Sequence, residues 1–374
     1  MEYKYNQLFK WTSGKPLKGE GNKYPVYGSN GIIAFSDDYN FENKIILGRV
    51  GAYCGSVNYC PNKFYATDNT LITECNEVLI DYLYAYFLLK SCNLNSYAGG
   101  AAQPLITQSI LKHLKCNIPL LPTQQKIANI LSTYDNLIQN YKNQITALQT
   151  AASELYKEWF VRFRFPGYKT TKFENGLPVG WKVERIGNVG EVIGGGTPST
   201  EKEDYWNGDI PWLSPVDLSD NTNVYVSHGA KNITKLGLAK SSAKMMPKDT
   251  VLLSSRAPVG YVALAKNEIC TNQGFKSVVC DNNKIQPLYL YFYFKMNKNY
   301  LQSIAIGATF PELSGSMMKK LKVLLPDIQL QNDFVKRVQP LIDKAELLSQ
   351  QITNLTQQRD LLLPRLMSGK LEIE

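Results

Sequence analysis

The chain repeats itself, because its 374 residues contain two related segments that lie 207 positions apart. The run Tyr-Leu-Tyr-Ala-Tyr-Phe at 82–87 recurs as Tyr-Leu-Tyr-Phe-Tyr-Phe at 289–294. In the same way, Gly-Ala-Ala-Gln-Pro at 100–104 recurs as Gly-Ala-Thr-Phe-Pro at 307–311. A tandem repeat uses each structural element twice. The sequence therefore predicts two halves with the same fold.

Each half ends in a helical pattern whose apolar residues are spaced alternately by four and three positions, as in the seam of a coiled coil. Arg359 interrupts the second series. One short amphipathic helix would be ordinary core packing, but a seam of about five heptads in both halves predicts two long helices that pair antiparallel. The proposed seam residues are Ile127, Leu131, Ile138, Ile145, Leu148 and Leu155, followed by Phe334, Val338, Leu341, Leu348, Ile352, Leu355 and Leu362.

The segments outside these helices combine strand-like apolar runs with short helical runs. The Tyr-rich runs at 82–88 and 289–294 are expected to form helices that face the core. The fold class predicted is α+β: two mixed α/β domains separated by two long antiparallel helices, which form an intramolecular coiled coil with pseudo-two-fold symmetry. The length agrees with two domains at about 150 residues each. The expected boundaries are a first domain at 1–121, a central helical spacer at 122–163, a second domain at 164–325 and a C-terminal helical spacer at 326–374.

Positive charge is concentrated outside the helices. The formal net charge is +9, and residues 164–325 hold 20 basic against 13 acidic residues. The helical segments are almost neutral, with 4 basic and 3 acidic residues at 122–163 and 5 of each at 326–369. A basic excess favours a polyanionic partner such as nucleic acid, although many chains are mildly basic without binding one.

The sequence lacks the motifs of an enzyme or a metal protein. It has no Gly-x-x-x-x-Gly-Lys-Ser/Thr loop and no Asn/Asp-Pro-Pro-Tyr/Phe motif, and its only histidines are His113 and His228. None of its seven cysteines forms Cys-x-x-Cys, so neither a zinc site nor a disulfide framework is expected. The Gly-Gly-Gly-Thr-Pro-Ser run at 194–199 lacks a lysine and a strand-to-helix context, and we interpret it as a turn. A binding module without a catalytic site is predicted.

No stretch approaches 18 consecutive apolar residues, and the first residues lead into no apolar signal segment. We therefore expect a cytoplasmic protein with reduced thiols.

Several motifs resemble one family over nearly the whole chain. Leu-Pro-Val-Gly-Trp-Lys at 177–182 and Tyr-Trp-Asn-Gly-Asp-Ile-Pro-Trp-Leu at 205–213 are similar to the start of a target recognition domain in the DNA specificity (S) subunit of type I restriction–modification systems. The segments 118–127, 159–163 and 366–371 resemble the repeated helical regions of that family. The first half departs from the pattern, because it lacks the Leu-Pro-x-Gly-Trp lead-in.

The resemblance implies a subunit with no active site of its own. Its two recognition domains would each read one half of a bipartite target in double-stranded DNA, and its helices would set the gap between the halves. Two modification (methyltransferase) subunits would dock on it, followed by restriction (motor-nuclease) subunits. S-adenosylmethionine, ATP and Mg²⁺ are expected on those partner subunits, and no cofactor is expected on this chain.

Two other classes of protein remain as alternatives. One is a DNA methyltransferase or nuclease with its own active site, against which the missing catalytic motifs argue. The other is a coiled-coil adaptor that does not touch DNA, against which the charge outside the helices argues.

The residues expected to contact DNA follow from the repeat. Arg49 and Arg256 end apolar strands at the same place in both halves, where a planar guanidinium could bind phosphate or a guanine edge. An arginine tied to a local carboxylate or carbonyl is an equal alternative. Small or polar residues of nearby turns complete the hypothesis, namely Lys15, Ser29, Asn30, Gly31, Gly99, Gly100 and Gln103 in the first half and Thr197, Ser255, Asn272, Gln273 and Thr309 in the second.

Overall fold

The computed structural model describes residues 1–100, 103–219, 221, 223–307 and 311–371. These residues form two compact units. Unit one comprises the described residues of 1–140 and 352–374, and unit two those of 141–351. In the described part of the chain, no helix has the length and apolar character that a membrane crossing requires.

Unit one begins with a mixed α/β region in which a six-stranded sheet has the order β2-β7-β5-β6-β3-β4. The β3–β6 pair is parallel, and the other pairs of this sheet are antiparallel. The first and last strands of the region, β1 and β8, form a separate antiparallel pair. The elements are β1 (Glu2–Lys4), α1 (Tyr5–Leu8), β2 (Phe9–Ser13), β3 (Tyr24–Gly28), β4 (Gly31–Ser36), β5 (Phe41–Gly48), β6 (Val57–Ala66), β7 (Thr70–Cys75), α2 (Tyr82–Ser91), α3 (Gln108–His113) and β8 (Lys115–Asn117).

A long helix, α4 (Leu121–Tyr156), follows and ends in a π-helical turn at Lys157–Val161. The mixed region of unit two then comprises β9 (Phe173–Glu174), β10 (Leu177–Pro178), β11 (Lys182–Arg185), α5 (Ile186–Val189), β12 (Gly190–Gly194), β13 (Trp206–Leu213), β14 (Tyr225–Val226), β15 (Lys231–Ile233), α6 (Lys235–Ala239), β16 (Val251–Leu253), β17 (Val262–Ala265), β18 (Cys270–Thr271), β19 (Lys276–Cys280), α7 (Pro287–Met296), α8 (Lys298–Ile304), α9 (Gly315–Lys320) and β20 (Lys322–Leu325). A second long helix, α10 (Ile328–Met367), begins in unit two.

Unit two contains a five-stranded sheet in the order β12-β19-β16-β17-β14 and a three-stranded sheet in the order β15-β13-β18. Strands β11 and β20 pair antiparallel, as β1 and β8 do in unit one. The Tyr-rich runs form α2 and α7, as predicted, and bury five of the ten residues of α2 and six of the ten residues of α7. Thr107 and Ser314, which are 207 positions apart, each cap the following helix by accepting a backbone N–H. The α+β class and the tandem repeat are confirmed.

In each unit, a stretch of α4 packs against a stretch of α10. In unit one, Ile127 and Leu131 share a buried cluster with Leu363 and Leu366, and Asp135 lies 2.5 Å from Arg359. Earlier residues of α4 thus meet later residues of α10, so the helices run antiparallel there. The Arg359 that interrupts the apolar seam is accommodated by this ion pair between the helices.

In unit two, the contact between the helices is aromatic. The ring of Phe334, which is fully buried, lies 5.9 Å from Tyr156, 6.0 Å from Trp159 and 5.1 Å from Phe160, centroid to centroid. Leu148, further towards the start of α4, lines a small cavity together with Leu341, Ile342, Ala345 and Glu346 of α10. The stretches are antiparallel in this unit as well.

The predicted seam residues all lie in the buried or half-buried range. The buried stripe of α10 shifts by one residue from the predicted seam at two places. Ile342 and Leu363 are buried there, while the predicted residues Leu341 and Leu362 are half-buried. An α-helix has 3.6 residues per turn, so its buried stripe drifts from a strict heptad. The buried members are Ile127, Leu131, Ile138, Ile145, Phe334, Val338 and Leu348, and the half-buried ones are Leu148, Leu155, Leu341, Ile352, Leu355 and Leu362.

Candidate nucleic-acid interface

The turn between β3 and β4 is tied to the ends of neighbouring strands through Ser29. The Ser29 hydroxyl donates to the carbonyl of Asn69 at 2.8 Å and accepts from the N–H of Val50 at 3.1 Å. The Ser29 carbonyl accepts from the Ser56 hydroxyl at 2.6 Å. Ser29 therefore positions the turn, while the side chain of Asn30 is exposed at its tip next to Gly31.

Arg49 follows β5 directly and is the only arginine in residues 1–121. Its backbone is fixed, because its N–H donates to Asn69 O at 2.9 Å and its carbonyl accepts from Ile106 N at 3.0 Å. Its Nε is buried without a hydrogen-bond partner, and no carboxylate of the described residues forms an ion pair with it. A guanidinium with unused donors at a strand end is suited to bind an anionic or acceptor-rich ligand.

The loop that contains Gly99, Gly100 and Gln103 lies beside Arg49. Gly99 and Leu105 exchange two backbone hydrogen bonds, of 3.0 and 2.9 Å, and Val50 also bridges to Leu105. Gly100 has a φ of +98°, and a Cβ there would lie 2.7 Å from the carbonyl oxygen of Gln103, so only glycine fits. The loop presents the exposed side chain of Gln103.

Lys15 completes this edge of unit one. Its N–H donates to Ala66 O at 3.0 Å, next to the 67–70 turn that also holds Ser29 and Arg49 through Asn69. The Lys15 side chain is exposed. The structure thus brings together the candidate residues predicted for the first half.

In unit two, Thr197, Asn272 and Gln273 lie together. The Thr197 hydroxyl donates to Oε1 of Gln273, and Oδ1 of Asn272 accepts from Gly274 N at 2.8 Å. The backbone of Gly196 runs so close to Ser242 that an added Cβ would lie 2.3 Å from the Ser242 hydroxyl oxygen. The glycine-rich run is therefore a site of close backbone approach at Gly196. The interpretation of the run as a turn is wrong, because Gly194 ends β12 and residues 195–199 form an irregular segment.

Arg256 is tied to a local carboxylate. Its Nη1 lies 3.9 Å from Oε2 of Glu312, and the same carboxylate binds Lys276 Nζ at 3.2 Å. Arg256 and Glu312 are both about one-third exposed, at 35% and 38% of their side-chain surfaces, so this pair is weak.

The prediction that Arg49 and Arg256 occupy the same place is wrong by one residue. Ser255, not Arg256, repeats the backbone bonds of Arg49: Ser255 N donates to Gly274 O at 2.7 Å, and Ser255 O accepts from Leu313 N at 2.9 Å. The segment between the matched positions is one residue longer in unit two. Arg256 therefore corresponds to Val50, and the pair Arg256–Glu312 replaces the apolar pair Val50–Leu105.

The candidate role of Ser255 also needs correction. Its side chain is 0% exposed, and its hydroxyl donates to Gly274 O at 3.1 Å. A buried, satisfied hydroxyl cannot reach a ligand in this conformation, so Ser255 supports the 272–274 turn instead. Thr309 lies outside the described residues.

Two buried glutamines were missed by the sequence analysis. Gln124 and Gln331 lie 207 positions apart in the first turns of the long helices, and each is 0% exposed. Gln124 accepts from Asp81 N at 2.8 Å and donates to the carbonyls of Leu79 and Pro119 at 3.1 and 2.9 Å.

Gln331 repeats that arrangement in unit two. It accepts from Gln286 N at 2.9 Å and donates to Lys284 O and Pro326 O at 3.2 and 3.0 Å. Each glutamine fixes the start of a long helix to the mixed region of its own unit. Their equal offset was the available signal, but a lone glutamine in a helix is usually a solvent-exposed residue.

The described residues contain no three His, Cys, Asp or Glu side chains that converge in a way that could hold a metal ion. Burial raises the pKa of Cys75, Cys116 and Cys280 to about 12 and that of Cys270 to about 11. These four thiols are protonated at neutral pH and are poor nucleophiles.

Comparison with known proteins identifies the class. Residues 3–149 and 178–357 match the type I restriction modification DNA specificity domain, and the chain therefore belongs to that family. The resemblance predicted from the sequence motifs is confirmed.

Individual relatives carry the same description. The chain is 43% identical over 171 residues to the type I restriction enzyme MjaIX specificity subunit of Methanocaldococcus jannaschii, a match that covers 45% of this chain and 39% of that protein. It is 24% identical to the type I restriction enzyme HindI specificity subunit of Haemophilus influenzae, over 83% of this chain and 82% of that protein. Both are named as specificity subunits, the non-catalytic role that the sequence predicts.

A solved structure has the same fold. The type I restriction–modification S subunit from M. genitalium superposes with a TM-score of 0.63 over 98% of this chain and 95% of that one, at 20% identity.

Proposed function

We propose that this chain reads a bipartite target in double-stranded DNA and docks two modification subunits and the restriction subunits of a type I complex. Residues 1–121 and 164–325 act as the two recognition domains, and residues 122–163 and 326–374 act as helical spacers. S-adenosylmethionine, ATP and Mg²⁺ belong to the partner subunits. Because the proposed target is DNA, the protein acts in the cytoplasm.

One observation carries the proposal: the same α/β region occurs twice, and each copy is fixed to a long helix by an equivalent buried glutamine. A protein that carries two related readers on paired helices can contact two half-sites at a set spacing, as dimeric DNA-binding proteins do. The candidate contacts in unit one are Lys15, Asn30, Arg49 and Gln103. Those in unit two are Thr197, Asn272 and Gln273, with Arg256 as a secondary candidate because Glu312 engages it.

The decisive experiment is methylome sequencing of a host that expresses this chain with its modification subunit. We expect methylation at one bipartite sequence, and none when either subunit is expressed alone. Methyl transfer by the purified chain alone would favour the alternative of an enzyme with its own active site. A complex that methylates without any sequence preference would contradict the proposed reading role.

A further inference from the structure

Residues 223–248 of unit two, which we name the lysine segment, contain five lysines and no Asp or Glu. All five side chains are exposed, and none forms an ion pair with a carboxylate among the described residues. By contrast, Lys266, Lys276 and Lys284 of the same unit each pair with a carboxylate. The lysines of the segment are Lys231, Lys235, Lys240, Lys244 and Lys248.

The backbone of the lysine segment is held in place by its apolar residues. Ile233 and Ala243 are buried in a cluster with Trp212 and Cys270. Met246 is also buried, and it exchanges two backbone hydrogen bonds with Ile269, of 2.9 and 3.0 Å. Because the apolar residues face inwards, the lysines stand on a fixed exposed surface instead of a loose tail.

The two ends of the segment contact different parts of unit two, and Asp249 directly follows its last lysine. At its start, the Thr234 hydroxyl donates to the carbonyl of Asp204 at 2.7 Å, in an exposed acidic run that includes Glu201 and Glu203. Lys235 therefore follows a residue that contacts this acidic run. Towards its end, Ser242 and Ala243 touch the backbone of Gly196, directly before Thr197. Lys240 and Lys244 thus flank the two residues that approach Gly196.

We infer that Lys240, Lys244 and Lys248 form a phosphate-binding surface that holds duplex DNA against unit two irrespective of its sequence. The inference rests on the proposed function and adds a division of labour to it. Ammonium groups act as point charges that follow a phosphate backbone, whereas base reading requires directed donors and acceptors. The three lysines supply affinity, and the adjacent Thr197, Asn272 and Gln273 are left to discriminate bases.

The test is a triple variant, Lys240→Gln, Lys244→Gln and Lys248→Gln, in the full chain. Binding to a duplex of arbitrary sequence is measured by fluorescence anisotropy over a salt series. Each lost phosphate contact lowers the slope of log K against log salt by about 0.9, so we expect a decrease of between two and three units. The variant Lys182→Gln, Lys320→Gln and Lys322→Gln is the control, since these exposed lysines carry the same charge on or beside the β11–β20 pair.

The outcomes separate the inference from the proposed function. Equal losses of affinity on target and arbitrary duplexes, with an unchanged methylated sequence in the methylome, would support the phosphate surface. A salt slope that matches that of the control variant would overturn it, as would a changed half-site sequence, which would mean that the lysines read bases. Loss of assembly with the modification subunit at unchanged DNA affinity would also overturn it, and would show a protein-docking surface. If the unaltered chain bound no duplex and directed no methylation, the proposed function itself would fail.

Discussion

The two units share a repeated framework but carry different side chains at their candidate DNA edges. In unit one, Val50 and Leu105 form an apolar pair next to an Arg49 that has no carboxylate partner among the described residues. In unit two, Arg256 and Glu312 take the equivalent positions and form an ionic network with Lys276. The repeated framework therefore does not impose repeated recognition chemistry.

The difference extends to the source of positive charge. The mixed region of unit one offers Arg49 and the exposed Lys15 beside polar turns, while unit two adds the exposed lysine segment. Two readers with a shared framework and different edges are suited to different half-sites, since affinity from phosphates and discrimination among bases are separate contributions. Equal effects are expected where the units are alike, and unequal effects where they differ.

The largest expected effect concerns the feature that both units share. Gln124→Ala and Gln331→Ala each remove three hydrogen bonds and leave buried backbone groups unpaired. At about 1–3 kcal/mol for each buried unsatisfied group, each variant should lose about 3 kcal/mol or more of unfolding free energy. Urea unfolding monitored by circular dichroism measures this loss.

The control for the glutamine variants is Gln125→Ala, because Gln125 is the exposed neighbour of Gln124. It should change stability by no more than about 0.5 kcal/mol. If only one of the two variants Gln124→Ala and Gln331→Ala lost several kcal/mol of unfolding free energy, the two glutamines would not be equivalent.

The second effect concerns the two arginines, which should differ. Arg49→Ala should weaken DNA binding by about 1–3 kcal/mol, because no carboxylate of the described residues pairs with its guanidinium. Arg256→Ala should cost less than about 1 kcal/mol, since Glu312 already engages that side chain. Binding to target and arbitrary duplexes, measured by anisotropy, provides both values.

A conservative variant distinguishes base reading from phosphate binding at Arg49. Arg49→Lys keeps the charge but lacks the planar fork, so it should restore binding only if the contact is a phosphate. The exposed Arg185, replaced by alanine, is the control. If Arg256→Ala lost as much DNA-binding free energy as Arg49→Ala, the Glu312 contact would not determine whether the guanidinium is available for DNA.

Much of the framework could be predicted from the sequence because it depends on periodicity. Tyr-rich runs became buried helices, and the alternating spacing gave two long helices whose buried stripe shifts to Ile342 and Leu363. These features rest on local spacing, which a sequence displays directly.

The residues at the candidate DNA edges were harder to predict, because each insertion in a long segment shifts the alignment of the two halves. A constant offset of 207 matched Arg49 with Arg256, whereas one additional residue in unit two matches Arg49 with Ser255. A shift of one residue at a strand end exchanges a buried side chain for an exposed one. The burial of Ser255 and the Glu312 contact are long-range consequences that no local pattern shows.

The smallest effect tests how firmly Glu312 holds its two cations. A double-mutant cycle of Arg256→Val and Glu312→Leu should give a coupling energy below about 1 kcal/mol, because the groups are 3.9 Å apart and partly exposed. The cycle of Lys276→Met and Glu312→Leu should give a larger value, because Lys276 is 3.2 Å from the carboxylate and only 16% exposed. Urea unfolding of the four variants in each cycle measures both couplings. If the Arg256 coupling energy equalled or exceeded that of Lys276, Arg256 would be an integral part of the unit-two structure. Its difference from Arg49, which has no carboxylate partner among the described residues, would then be larger than the structure alone indicates.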